Sequence, residues 1–219
     1  MIREFGFPEF MLLIDGAKWT VLLSLVAFAG GSAGGLVIAL CRVSASAWLR
    51  WPSQAFIRVV QGTPLLMQLF LIFFGLGTFV EIDPWLAAAL GLGLNASAFL
   101  GEIWRGSIQA IPNGQTEAAH ALGLNYLDRM RFVILPQARR MAYAPTVGFA
   151  VQVVKSTSLA AIIGFTEVTR AGQIVNNATF KPFLVFGIVA VIYFFMCWPL
   201  TLLSDHLERR AAIPNRSPK

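Results

Sequence analysis

The chain has 219 residues, of which 57% are hydrophobic and 13% charged, and its mean hydropathy is +0.68. That balance excludes an ordinary soluble domain and defines a polytopic membrane protein. The net charge of +6 does not point to nucleic acid, because Lys and Arg cluster at the ends of apolar runs, where membrane topology puts them.

Cys41 and Cys197 lie in or beside apolar runs, with no metal-ligand spacing and only two histidines in the chain. Neither a disulfide framework nor a metal site is expected, and no cofactor is expected to bind this chain. Residues 1–18 mix Phe5, Phe7, Pro8 and Phe10 with Arg3, Glu4, Glu9 and Asp15, which suits an interfacial lead-in. No basic n-region or clear cleavage site precedes the first apolar run, so that run is expected to stay as a span rather than leave as a signal peptide. Trp19 to Cys41 is uncharged for 23 residues between Lys18 and Arg42. At 1.5 Å per residue it crosses a hydrocarbon core of roughly 30 Å. Its Gly30, Gly31, Gly34 and Gly35 predict a face closely packed on another helix.

The second uncharged run, 59–80, contains Gln61, Gly62, Thr63, Pro64 and Gln68. Polar groups need partners in lipid, so this half of the span faces protein or water. Two readings fit Gly62, Thr63 and Pro64: a proline kink held by neighbouring helices, or a place in a substrate pathway. The third run, 84–106, puts Asn95, Phe99, Glu102 and Gly106 on one helical face, with Arg105 three residues beyond Glu102 where the two can pair. Charges at the end of a span also simply mark the interface.

Between the third and fourth runs lies a polar island, residues 113–124. Pro112 ends what precedes it, Asn113 is placed to cap, and Glu117 falls near the positive end of a helix. Ala118, Ala119 and Ala121 add helix propensity with little bulk until Gly123 permits a left-handed exit. On composition alone a capped surface helix and a docking helix fit equally. The fourth run, 141–166, is interrupted by Lys155, Ser156, Thr157 and Ser158, either a snorkelling lysine or a hydrogen-bonding wall. Glu167 to Lys181 reads as a polar loop, 182–204 as a fifth span, 207–219 as a tail that is loose from Ile213, and His206 as a solvated end residue.

The fold expected is an all-α membrane bundle of about five transmembrane helices. With the N-terminus outside, Arg42, Arg50, Arg58, Arg105, Arg129, Arg131, Arg139, Arg140, Arg209, Arg210, Arg216 and Lys219 face inward. Only Arg3, Lys18, Arg170 and Lys181 face outward, a bias of twelve to four. This places the island and the C-terminus in the cytoplasm.

Five ordered motifs carry a family resemblance: Gly62-Thr63-Pro64-Leu65-Leu66, Glu102-Ile103-Trp104-Arg105-Gly106-Ser107-Ile108, the island with Glu117-Ala118-Ala119 and Gly123, Leu135-Pro136-Gln137-Ala138, and Lys155-Ser156-Thr157-Ser158-Leu159. Over roughly residues 55 to 170 the chain resembles the permease subunits of ATP-binding-cassette importers, in the polar amino acid branch.

The resemblance implies a bacterial inner-membrane protein and makes the island a coupling helix for an ATPase dimer, with Gly114, Glu117, Ala118, Ala119 and Gly123 at the contact. It implies a substrate pathway through Gly62, Thr63, Pro64, Asn95, Glu102, Arg105, Lys155, Ser156, Thr157 and Ser158, with Arg105 suited to a substrate carboxylate. Its implied partners are a second permease chain, identical or sister, an extracytoplasmic substrate-binding protein and a polar amino acid, with ATP and Mg held by the ATPase.

Ser156 departs from the pattern, since many such permeases have aspartate there. Serine accepts a hydrogen bond but supplies no charge. Either the substrate differs or a sister subunit provides the acid. The chain has no Gly-x-x-x-x-Gly-Lys-Ser/Thr loop, so it is not itself the ATPase, and its histidines form no catalytic pair. A secondary carrier or channel is the alternative from another class, disfavoured because no inverted repeat is evident.

Overall fold

The computed structural model describes residues 3–211, and every regular element among them is helical. Helix α1 runs unbroken from Phe7 to Val43, 37 residues and therefore about 55 Å. From Phe7 on, the expected interfacial lead-in is thus the first part of this helix. Packing explains the extension: Leu13 and Gly16 are buried, and Leu13 shares a cluster with Val168, Ala171, Val175, Val185 and Val189. Pro8 and Glu9 start the helix, the Glu9 carboxylate accepting from the Gly6 N–H at 3.1 Å. Asp15 and Lys18 pair on the exposed face at 3.4 Å without ending it.

Helix α4 (Pro84–Gln109) begins at Asp83, whose carboxylate accepts from the Trp85 N–H at 2.8 Å, and lies along α1. The seam between them is made of small residues. A Cβ on Gly31 would overlap that of Ala96, and one on Gly101 would stand 2.7 Å from Ile38 Cγ2. Gly34 and Gly35 meet Ser97 and Leu100 in the same seam, whereas Gly30 has open space around it.

The second expected span is not one straight helix. α2 (Ala47–Gly62) and α3 (Leu65–Phe70, continued by a π turn over Leu71–Gly75) meet at a bend of 105°. Pro64 lacks an N–H and forces Thr63 into extended backbone, with φ −115° and ψ 142°. The carbonyls freed by the break are not left bare. Gln68 Nε2 donates to the Val60 carbonyl at 2.7 Å and to the Thr63 carbonyl at 3.1 Å, and Thr63 Oγ1 donates to the Val59 carbonyl at 2.8 Å. Internal satisfaction of this kind is what a break at membrane depth requires.

The polar island folds as α5 (Asn113–Ala121), one residue earlier than an Asn113 cap predicts: Pro112 is the capping position and Asn113 is helical. A short α6 (Tyr126–Arg129) passes through a π turn, Met130–Ile134, into α7 (Leu135–Ser156). At the Lys155–Ser158 interruption the helix tightens into a 3₁₀ turn over Thr157–Ala161, and a turn follows to Gly164, φ +92°.

The expected polar loop 167–181 is largely a helix, α8 (Val168–Thr179), and the last helix, α9 (Pro182–Ala211), extends past the expected start of the tail; residues 212–219 lie outside the described residues. Glu167 caps α8 and is fully buried. Its carboxylate accepts from the Arg170 N–H at 2.9 Å, Tyr193 OH at 2.8 Å and Thr20 Oγ1 at 3.3 Å, tying α8 to α9 and α1. By length and hydropathy α1, α4 and α9 can cross a membrane, and the bent α2–α3 pair counts as a fourth span. α7, which carries Arg139, Arg140 and Lys155, falls short of that measure of length and composition, so among the described residues three helices meet it, or four with the bent pair.

Candidate functional site

α4 has two working faces. One packs on α1, and the other turns Asn95 and Phe99 toward the α2–α3 break, where Asn95 Nδ2 donates to Gln68 Oε1 at 3.3 Å. α7 closes the opposite side: Phe149 stacks on Phe99 with ring centroids 5.4 Å apart, and Trp104 Nε1 donates to Thr146 Oγ1 at 2.9 Å. Between these elements lies an open cavity of about 360 Å³. Thr63, Asn95 and Ser156 line it together with Gln61, Gln152 and the Phe99–Phe149 stack. The lining contains amides, hydroxyls, aromatic rings and aliphatic carbon and no charged side chain. Such a wall can donate and accept hydrogen bonds to a polar solute but cannot neutralise a net charge on it.

The other expected pathway residues are distributed around this cavity. Gly62 and Pro64 shape the bend beside it and are exposed. Glu102 and Arg105 lie further along α4 and engage each other, with Arg105 Nε donating to Glu102 Oε2 at 2.8 Å and a second guanidinium contact to Gln109. Lys155 is exposed, Thr157 is buried with its hydroxyl on the Val154 carbonyl at 2.7 Å, and Ser158 Oγ donates to the Lys155 carbonyl at 2.8 Å. The structure therefore joins Thr63, Asn95 and Ser156 and leaves Glu102, Arg105 and Lys155 outside the lining.

Gln152 and Phe149 were missed. Their signal was present, four and seven residues before Ser156 on the same helical face.

The island forms a hairpin with α6 and the π turn that follows it. Glu117 and Ala118 are exposed, Ala119 is buried beneath them, and Gly114 and Gly123 have open space around them. Gly123 sits at φ +75°, and the Leu124 N–H returns to the Ala119 carbonyl at 3.0 Å, closing the helix end. Leu122 and Leu127 are 79% and 74% exposed beyond that turn. Gln137, from the Leu135–Ala138 motif, fastens the hairpin to α7: its Nε2 donates to the Val133 carbonyl at 2.8 Å and to Gln115 Oε1 at 3.3 Å. The hairpin thus presents Ala118 and Ala121 with Leu122 and Leu127 exposed beyond its turn, and it runs through α6 into α7.

Residues 31–213 match the family model described as the binding-protein-dependent transport system inner membrane component, and the chain belongs to that family. It is a transport subunit of a binding-protein-dependent ATP-binding-cassette importer, a system that includes ATPase and substrate-binding partners. The chain is 35% identical over 209 residues to the glutamine transport system permease protein GlnP of Escherichia coli, covering 94% of this chain and 95% of that one. It is 36% identical over 201 residues to the L-cystine transport system permease protein TcyB of Bacillus subtilis, covering 91% and 86%. Its fold superposes on a chain of the crystal structure of an amino acid ABC transporter with histidines at a TM-score of 0.87, with 34% identity, covering 95% of this chain and all of that one.

Proposed function

We propose that this chain is one permease half of an importer for neutral polar amino acids, with the α5 hairpin receiving the ATPase on the cytoplasmic side. The observation that carries the reading is the uncharged cavity wall of Gln61, Thr63, Asn95, Gln152 and Ser156, open on one side and built around the α2–α3 break. A wall open on one side at membrane depth needs a second surface to close it, and a second permease chain, with α7 as fifth span in each, supplies one. Ser156 contributes a hydroxyl and no charge, which favours a substrate with no net charge such as an amide amino acid. The glutamine permease relative points the same way. A substrate-binding protein delivers the solute at the outer face.

Nucleotide binding to the ATPase dimer biases the two access states, because a hairpin has no energy source of its own. Closure of the ATPases would push α5, and Gln137 would carry that displacement into α7, which forms one side of the cavity.

The test is uptake into vesicles holding this chain with its permease partner, ATPase and binding protein. ATP-dependent glutamine uptake, competed by asparagine and not by lysine or glutamate, is the expected result. Equal competition by charged amino acids would contradict the neutral cavity, and uptake independent of ATP would contradict the coupling role.

A further inference from the structure

A second cavity, of about 480 Å³, lies at the inner end of the bundle, between the α1–α2 elbow and the root of the α5 hairpin. Arg42, Arg50 and Arg129 line it with Ser44, Gln109, Asn113 and Thr116, and no carboxylate is in the lining. Arg42 donates from Nη1 to Gln54 Oε1 at 3.1 Å, but its Nε is buried with no hydrogen-bond partner among the described residues. A buried guanidinium N–H without an acceptor is costly. The nearest acid along α4, Glu102, is engaged by Arg105. Arg50 braces the elbow through the Ser44 and Ala45 carbonyls at 2.9 and 2.7 Å, which uses only its Nη1. Arg129 lies against His120 and over the Tyr126 ring. The first turn of α5 opens into the same cavity with no side-chain cap, adding the positive end of a nine-residue helix.

The depth of the groove identifies what fills it. Arg42 is the first charge after the 23-residue apolar run of α1, so it stands where hydrocarbon ends. Trp48 and Trp51, on either side of Arg50 in α2, are 89% and 77% exposed, as indole rings in a membrane-water interface are. Three guanidinium groups and a helix N-terminus at headgroup level recognise a phosphodiester. Phosphate suits the planar guanidinium donors, and basic pockets between membrane helices take acidic headgroups.

We infer that this groove holds the phosphate of an anionic phospholipid, lodged between the α1–α2 elbow and the hairpin that receives the ATPase. The bound lipid would splint the elbow to the root of α5. The inference stands apart from the import reading, because lipid retention is measured without uptake.

The probe is phosphatidylglycerol against phosphatidylcholine, added to the purified transporter in detergent and read by native mass spectrometry. Wild type is expected to keep phosphatidylglycerol in preference to phosphatidylcholine. Arg42→Gln with Arg129→Gln is expected to keep about tenfold less of it, and Arg58→Gln, which lies outside the groove, as much as wild type. Arg129→Gln alone serves if the double variant does not assemble, with a smaller loss expected. Equal retention of both lipids, an equal loss in Arg58→Gln, or full retention in the groove variants would overturn the inference. Inorganic phosphate displacing phosphatidylglycerol would make the ligand a free anion, and loss of the ATPase subunit with unchanged lipid would make the groove a protein seat; both contradict it.

Discussion

The two faces of α4 follow opposite packing rules. Toward α1 the helix presents Ala96, Ser97, Leu100 and Gly101 to a row of glycines, so closely that a single methyl at Gly31 or Gly101 has no room. Toward α2, α3 and α7 it presents Asn95 and Phe99 to an open cavity, and there the glycine of the break, Gly62, has nothing within 4 Å. Close packing makes α1 and α4 one body, because interdigitated small residues leave no alternative arrangement of similar energy. The cavity face is held by a few hydrogen bonds, chiefly from Gln68, which can be exchanged without repacking a core. Alternating access needs both: a stiff part to carry the motion and a loosely tied part to rearrange.

Substitutions on each side sharpen this contrast. The largest effect is expected from Gly101→Val. Overpacking typically costs about 1–3 kcal/mol, and the seam offers only backbone and the Ile38 side chain to move. The folded yield and melting midpoint in detergent should fall sharply, while Gly62→Ala should leave both unchanged. Similar midpoints for the two variants would end the distinction between the faces.

Next comes the hairpin. Glu117→Lys should abolish ATP-driven uptake while leaving insertion and amount of protein as in wild type, since Glu117 is exposed; Gly123→Trp should abolish uptake too, with a lower amount of protein, because a side chain at φ +75° strains the turn even in open surroundings. Normal uptake by either variant would remove the coupling role.

A smaller loss is expected from Gln68→Ala. It removes the donor that satisfies the Val60 and Thr63 carbonyls and cuts the tie to Asn95, a cost of about 0.5–1.5 kcal/mol for hydrogen bonds at a part-exposed cavity face. Thermal unfolding should show the drop, and an unchanged midpoint would mean that water already serves those carbonyls. The smallest stability change belongs to Arg105→Ala, whose pair with Glu102 is a local i, i+3 contact worth about 0.2–0.5 kcal/mol. Its melting point should barely move and, because Arg105 lies outside the cavity lining, uptake should stay near wild type; a large loss of uptake would place Arg105 in the pathway and contradict the uncharged cavity.

What the sequence disclosed, and what it hid, follows from the same physics. The hairpin was readable because a polar, alanine-rich stretch between apolar runs has few ways to fold, and the glycine row in α1 was readable as a packed face. α8 was hidden. Its buried positions, Val168, Ala171, Gly172, Val175 and Thr179, keep helical spacing, but Arg170, Gln173 and two asparagines between them lower the hydropathy to that of a loop. The start of α1 was hidden by Asp15 and Lys18, which look like a boundary until Leu13 and Gly16 are seen packed in the cluster with α8 and α9. In the cavity, Thr63, Asn95 and Ser156 stood out as polar residues in apolar runs. That Glu102 and Arg105 satisfy each other instead of joining them depends on rotamers, which spacing alone does not fix. Glu167 sat at the edge of an apparent loop, and only the tertiary fold shows its carboxylate holding three helices together.

The direct test of the central claim, that the α5 hairpin faces the cytoplasm and meets the ATPase there, is the accessibility of Ala118→Cys in a chain with Cys41 and Cys197 replaced by serine. A membrane-impermeant maleimide should label it in inverted membrane vesicles and not in intact cells, and the ATPase should block that labelling. Labelling in intact cells, or labelling of vesicles that is indifferent to the ATPase, would contradict the account.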